Sequence, residues 1–484
     1  MLETERAGIE HIRRLIADGR AQQALLALKK LQLQLSAEFK AREFWRIDEL
    51  YGASFQILGD TEGVVQAYWQ AGQHDRFLRS QMEHFSSYLF ALHYLPGLSD
   101  DELAVQHFLY ERFFAGRESF QHAKRERSRL RIGYLSPDFR EHAVGRCILP
   151  LLQDRDAEHF AVYGYRMNRQ EDEVWRTMQP MADVWRDFTE VPVELAAQQI
   201  YEDGIDILVD LAGHSDGGRT LMIAGVRPAP VQLSGIGWFD TTGLSAIDYF
   251  LTDALCDPPG QNEELFREKL LRAARVPFCY TPLAAMPEPG PVHSSCVFGC
   301  FNNFAKITDD MLGLWLQIVQ GVPGSCLILK DTTGFAERLA GLRERAARIG
   351  FTAAQLELRT GSVNYLQEYR EIDIALDPYP YPGGITTCDA LYMGVPVVTL
   401  AGRRHGTRLG MSLLTSLGLE GLAATNAEEY KVRAIALAQD GKRLKNLKAN
   451  LRQLMQVSPL MDAKGYMRSL ETAYRKIWQE WLQS

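Results

Sequence analysis

Over roughly the first 120 residues apolar side chains return every three or four positions, and after Ser128 they alternate in short runs instead; that change of period divides the chain. Ile9, Ile12 and Ile16 share one helical face, Leu25, Leu28 and Leu31 with Leu35 a second, and Leu78, Met82, Phe85 and Leu89 a third. Residues 1–125 therefore read as an all-helical domain. Beyond it, Leu130 to Leu135, Phe160 to Tyr165, Ile205 to Leu211, Val231 to Ile236 and Asp248 to Thr252 are strand-like runs with helical stretches between them. Such alternation predicts a mostly parallel sheet covered on both faces. The Pro-rich stretch Ala284 to Ser295 separates this unit, 126–285, from a second one, 296–460. Its strands are Val297 to Phe301, Cys326 to Lys330, Leu356 to Thr360, Ile372 to Leu376 and Val397 to Leu400. The predicted fold class is α/β, two Rossmann-like domains facing a cleft, with sites at the carboxyl ends of the strands. A last helix, 461–484, puts Met467, Leu470, Tyr474 and Ile477 on one face.

Chemistry is most legible between Ile372 and Ala401. Pro378, Pro380 and Pro382 forbid helix after the strand, Gly383 and Gly384 let the backbone approach a ligand, and Thr386, Thr387, Cys388 and Asp389 open a short helix through Met393. Unpaired N–H groups at a helix start, with two Thr hydroxyls beside them, suit a phosphate or diphosphate. The same residues also make an ordinary helix start with Thr386 as N-cap, while Asp389 is placed to accept hydrogen bonds from ribose hydroxyls.

The net charge of −8 argues against nucleic acid as the main partner, and the basic runs Lys124 to Arg131 and Arg338 to Arg348 read as solvated helix faces. Seven scattered cysteines without a CxxC pair predict reduced thiols in a cytoplasmic protein and no zinc site. MLETERAGIEHIRRL lacks the apolar run of a signal peptide, and no stretch is long and apolar enough to span a bilayer.

The run DPYPYPGGITTCDALYMGVPVVTLAGRRHGTRLGMSLLTSLGL resembles the donor-binding region of the peptide-modifying glycosyltransferase family that holds O-GlcNAc transferase and SPINDLY. RPAPVQLSGIGWFDTTGLSAIDYFLTD is similar to the same family nearly throughout, and the likeness covers about Arg131 to Leu482. GDTEGVVQAYWQAG, Gly59 to Gly72, resembles part of a tetratricopeptide repeat, a helix pair that would guide a protein acceptor. The family resemblance implies a GT-B enzyme, inverting and without metal or other cofactor, that moves GlcNAc from UDP-GlcNAc onto Ser or Thr of a protein. The short helical front in place of a long repeat array suggests a narrow acceptor range, such as a bacterial flagellin or surface protein, and by the resemblance the terminal helix is expected to cross back to the first domain.

By the same resemblance, Lys306 in FNNFAKITDDML contacts the donor diphosphate with Asn303 beside it, and Tyr365 stands where O-GlcNAc transferase has a base-stacking His. Gly384, Thr386, Thr387 and Asp389 are further donor contacts, with Arg408 a less specific addition. His142 in SPDFREHAVG matches the family's His near acceptor and donor. Asp210 and His214, closing IDILVDLAGHSDGG, are further catalytic candidates with Asp203 and Asp206 upstream, and which group takes the proton is left open. Gly237, Thr241 and Thr242 form a polar loop suited to lie under the donor sugar or a peptide backbone. Ile385 replaces the His of the O-GlcNAc transferase branch, and the wording is nearer SPINDLY, whose plant members look like GDP-fucose users. A GDP-fucose-dependent O-fucosyltransferase is therefore one alternative, a GT-B epimerase or hydrolase another, and a non-catalytic helical scaffold a third.

Overall fold

The computed structural model describes residues 3–283 and 285–484. Its N-terminal segment is helical throughout, with helices Glu3–Ala17, Ala21–Gln34, Ala37–Arg42, Trp45–Leu58, Thr61–His74, Leu78–Leu92 and Asp100–Phe108. Polar caps punctuate it. Ser36, Asp60 and Ser99 accept from the N–H groups of Phe39, Gly63 and Glu102, and Ser99 with Glu102 closes a capping box. Ile9, Ile12, Leu28 and Leu31 are buried as their spacing requires. Leu78 is not: it opens its helix and is 44% exposed, whereas Met82, Phe85 and Leu89 are buried.

Two parallel sheets follow. The first contains β1 (Leu130–Ser136), β2 (Phe160–Arg166), β3 (Val184–Asp187), β4 (Ile207–Asp210), β5 (Val231–Ser234), β6 (Tyr249–Thr252) and β7 (Lys269–Arg272), ordered β3-β2-β1-β4-β5-β6-β7. The second contains β8 (Val297–Phe301), β9 (Cys326–Lys330), β10 (Leu356–Arg359), β11 (Ile374–Leu376), β12 (Val397–Leu400) and β13 (Ala423–Ala424), ordered β10-β9-β8-β11-β12-β13. The pattern of apolar runs missed β3, β7 and β13, and all three lie at sheet edges. An edge strand buries less, so VWRD and KLLR carry charges where a central strand would carry Val or Ile.

The core explains how the parts stay together. Met82, Phe85 and Leu89 of the helical segment share one apolar cluster with Leu135, Leu208 and Leu221, so that segment packs directly on the first sheet. A second cluster runs from Ile132 and Leu151 through the whole second half to Tyr474 and Trp478. The terminal helix Ala463–Gln483 thus returns to the first half, where Asp156 N donates to Glu471 Oε1 at 2.7 Å and Tyr249 OH donates to Glu480 Oε2 at 3.2 Å.

Candidate functional site

In each sheet the strand order reverses beside the first strand, between β1 and β4 and between β8 and β11. Loops leaving the two sides of such a point diverge and open a crevice at the carboxyl ends of the strands. The two crevices contribute to one cavity of about 510 Å³, within the range of small-molecule sites, lined by loops that follow β1, β5, β8, β9, β10 and β11.

The loop after β11 is built around Asp377. Its carboxylate accepts from Gly383 N at 2.7 Å and from Thr399 Oγ1 at 2.8 Å, and burial pushes its pKa up to about 6. The turn it holds leads into the helix Ile385–Tyr392, whose N-cap is Gly384 and not Thr386. Helix geometry leaves the N–H groups of Ile385, Thr386 and Thr387 without intrahelical acceptors. Thr386 and Gly384 line the cavity, and Thr386 Oγ1 donates to Asn302 Oδ1 at 3.1 Å. Thr387 points the other way, 2% exposed against Asp377.

Lys306 reaches the same place from β8. Asn303 Oδ1 accepts from Ala305 N and winds Phe304–Lys306 into a 3₁₀ turn that aims the ammonium at the cavity. Among the described residues two of its three donors are taken, by Asn302 Oδ1 and by the Pro382 carbonyl, each at 3.1 Å, and the ammonium stands 4.8 Å from the Tyr381 ring centre. Burial lowers its pKa to about 8, against a raising pull from Asp377. A cation with a spare donor beside a helix start is an anion site in its chemistry.

His142 faces the cavity from the first half as N-cap of the helix Ala143–Gln153. Its Nδ1 lies 3.3 Å from Val144 N and 3.2 Å from Asp138 Oδ1. The first is a hydrogen bond in which Nδ1 accepts, the second an ion-pair distance only; a ring carrying its proton on Nδ1 instead would face Asp138 and leave Nε2 able to accept a proton.

A family profile described as glycosyl transferase family 41 matches residues 109–280 and 287–470. The chain belongs to that family. A SPINDLY protein of Solanum lycopersicum, named a probable UDP-N-acetylglucosamine–peptide N-acetylglucosaminyltransferase, is 36% identical over 416 residues, covering 81% of this chain and 44% of the relative. The corresponding N-acetylglucosaminyltransferase of Caenorhabditis elegans is 22% identical over 476 residues, covering 73% of this chain and 41% of the relative. The family 41 chain thus spans less than half the length of these curated relatives. A mutant of the Thermobaculum terrenum O-GlcNAc transferase superposes with a TM-score of 0.80 at 28% identity, over 100% of this chain and 99% of that one. Two Rossmann-like halves behind a helical segment are therefore the family 41 architecture in this chain.

Other predicted site residues of the family 41 chain stand elsewhere. Asp210, 1% exposed, accepts from Ala212 N, Gly213 N and Ser234 Oγ and shapes the turn after β4. His214 is likewise enclosed, between Ser86 Oγ at 3.0 Å and the Thr242 carbonyl at 2.9 Å, and burial holds its pKa well below the usual range. Thr241 and Thr242 are fully buried on Glu268 and do not line the cavity, although Gly237 of the same segment does. Asp203 and Asp206 sit at the amino end of β4, held by Arg186 and Arg127. Asn303 faces a second cavity, and Arg408 binds the Leu255 and Gly402 carbonyls. Among the described residues no group of three or more His, Cys, Asp or Glu is placed to hold a metal ion.

Some cavity residues escaped the sequence reading. Ile236 is one: a β-branched residue at φ 66°, a conformation that costs about 1–3 kcal/mol. Arg146 is another. It and Asp389 are both nearly fully buried, with Arg146 NH2 at 2.6 Å from Oδ1 and NH1 at 3.0 Å from Oδ2. Tyr280 and Tyr365 donate to the same carboxylate at 2.7 and 3.0 Å, so a ribose hydroxyl at Asp389 would compete with protein donors. Only spatial proximity brings Arg146 to Asp389, 243 positions away, and no local pattern carries that signal.

Proposed function

We propose that this chain is an inverting glycosyltransferase that moves GlcNAc from UDP-GlcNAc to a Ser or Thr hydroxyl of a protein, without a metal ion. The observation that carries it is the convergence on one cavity of the Lys306 ammonium and the first turn of Ile385–Tyr392 from one half, and of His142 from the other. In the proposed step the acceptor oxygen bonds to C1 of the sugar as the bond from C1 to the β-phosphate oxygen breaks. The electron pair leaves on the diphosphate, where Lys306, Thr386 and the helix N–H groups stabilise it. The acceptor proton passes to His142 Nε2 in the tautomer whose own proton sits on Nδ1, and the Asp138 carboxylate 3.2 Å from Nδ1 stabilises the imidazolium that results. The names of the relatives above carry UDP-N-acetylglucosamine or O-GlcNAc, which supports that donor over GDP-fucose.

A protein acceptor is supported by a second cavity of about 280 Å³ between the helical segment and both halves. It shares Phe90 and Ser215 with the first and offers Tyr68, Tyr94, Asp216 and Arg338 as contacts. A cytoplasmic location fits the seven free cysteines; no helix among the described residues is long and apolar enough to cross a membrane.

The test is a thermal-shift comparison of UDP, UDP-GlcNAc, GDP and GDP-fucose, because a ligand that binds the native state raises the melting temperature. A response to the uridine pair, followed by a mass gain of one N-acetylhexosamine on an acceptor, is the expected result. A response confined to the guanosine pair would overturn the donor, and silence from all four would overturn the enzyme reading.

A further inference from the structure

Resting on that reading, we infer that Arg146 is a positioning residue for transfer: its bidentate pair with Asp389 sets the separation between the His142 turn and the diphosphate-facing turn of the opposite half. Two helices aim their N-termini at the cavity, Ala143–Gln153 behind His142 and Ile385–Tyr392 behind Gly384. Arg146 lies about one turn into the first helix and Asp389 about one turn into the second, so their contact ties the two N-terminal turns directly across the cleft.

The tie is stiff for three reasons. A planar guanidinium forked onto a carboxylate fixes orientation as well as distance, which a single hydrogen bond does not. Two further donors are engaged: Nε donates to the Thr281 carbonyl at 3.0 Å and NH2 to Tyr280 OH at 2.6 Å, so the segment just before the linker is held by the same group. Finally, the pair is nearly sealed from water, where an ion pair is weakened little by solvent and breaking it strands a buried charge. In-line displacement needs the proton acceptor and the leaving-group site at a set spacing, and an error near 1 Å costs on the order of 10²-fold in rate. Arg146 touches neither reacting atom in this account. It acts through the two helices it joins.

The experiment compares Arg146→Lys, Arg146→Met and Arg146→Met/Asp389→Asn with the unsubstituted chain, reading melting temperature, Kd for UDP by calorimetry, and kcat and KM for UDP-GlcNAc. Lys keeps a charge but not the fork, and the double variant leaves no stranded carboxylate, so a failure of Arg146→Met to fold does not end the test. The expected result for Arg146→Lys is a fall in kcat of at least about tenfold, with Kd for UDP within about threefold of the unsubstituted value. Unchanged kcat in every variant that folds and binds UDP would overturn the inference. So would a loss of UDP affinity that accounts for the whole loss of kcat/KM, since the pair would then build the binding site without positioning the two turns. If the unsubstituted chain binds none of the four nucleotides, the donor reading fails and this inference fails with it.

Discussion

Arg338 and Asn303 are joined by a hydrogen bond of 2.8 Å, and the same guanidinium holds the end of a helix in the N-terminal segment. Its Nε donates to the Ile57 carbonyl at 3.0 Å and its NH2 to that of Gln56, the last turn of Trp45–Leu58. The helical segment is thereby pinned to the loop that aims Lys306. Arg338→Ala is expected to cost about 1–3 kcal/mol, the range for stranding buried hydrogen-bonding groups. It should also speed proteolytic cleavage within residues 45–75. A protease pattern and melting temperature equal to those of the unsubstituted chain would show that the clamp holds nothing.

Lys306 predicts how donor binding responds to alkali. Its pKa near 8 lies below the ordinary lysine value, so the fold disfavours the ammonium, and that penalty on stability is relieved as pH rises from about 8 towards 10.5. Donor affinity runs the other way. At pH 9 only about a tenth of the side chain is charged. Calorimetry between pH 7 and 9 is expected to show UDP binding weaken, and Lys306→Arg, which stays charged, to remove that slope. Lys306→Ala should cut kcat by roughly 10²-fold or more. A flat affinity profile for the unsubstituted chain would refute this role.

Neighbouring threonines separate binding from stability. Thr386 faces the cavity and Thr387 the buried Asp377. With donor bound, the Thr386 hydroxyl is expected to turn from Asn302 Oδ1 to the diphosphate, so Thr386→Ala should weaken UDP about tenfold, as loss of a hydrogen bond to a charged group does. Thr387→Ala should instead lower stability by about 1 kcal/mol and leave Kd within about threefold. The two effects appearing at the opposite positions would mean that the helix start is wrongly aimed here.

Thr241 gives the complementary case. It donates to Glu268 Oε2 at 2.6 Å in an interior network, and burial raises the Glu268 pKa. Thr241→Val removes a donor from that enclosed acid and is expected to cost about 1–3 kcal/mol of stability without altering UDP affinity. Chemical denaturation and calorimetry on the same sample check both halves of the statement.

Central strands, the linker and the buried face of the terminal helix were legible because each is a local pattern of apolar residues with a fixed period. Lys306, His142, Gly384 and Thr386 were singled out by resemblance to the family together with their place after strand ends, where open α/β sheets place their ligands, and all four line one cavity. Depth separates the other candidates. Asp210, His214, Thr241 and Thr242 also follow strand ends, yet their side chains turn inward to close turns or an interior network. Polar residue type marks the need for partners but does not say whether those partners are protein or ligand. Arg146 was invisible for the converse reason: its partner Asp389 lies in the opposite half.

The terminal helix also sets an order of events during synthesis. β7 ends at Arg272, but the first half buries itself against Tyr474 and Ile477, which leave the ribosome only after every strand of the second half. Until then its apolar face lacks a cover, and surface left open in this way is what chaperones engage and what aggregates. Completion of the first half is therefore a late event in the life of the nascent chain, and the two halves mature together although they are translated in turn.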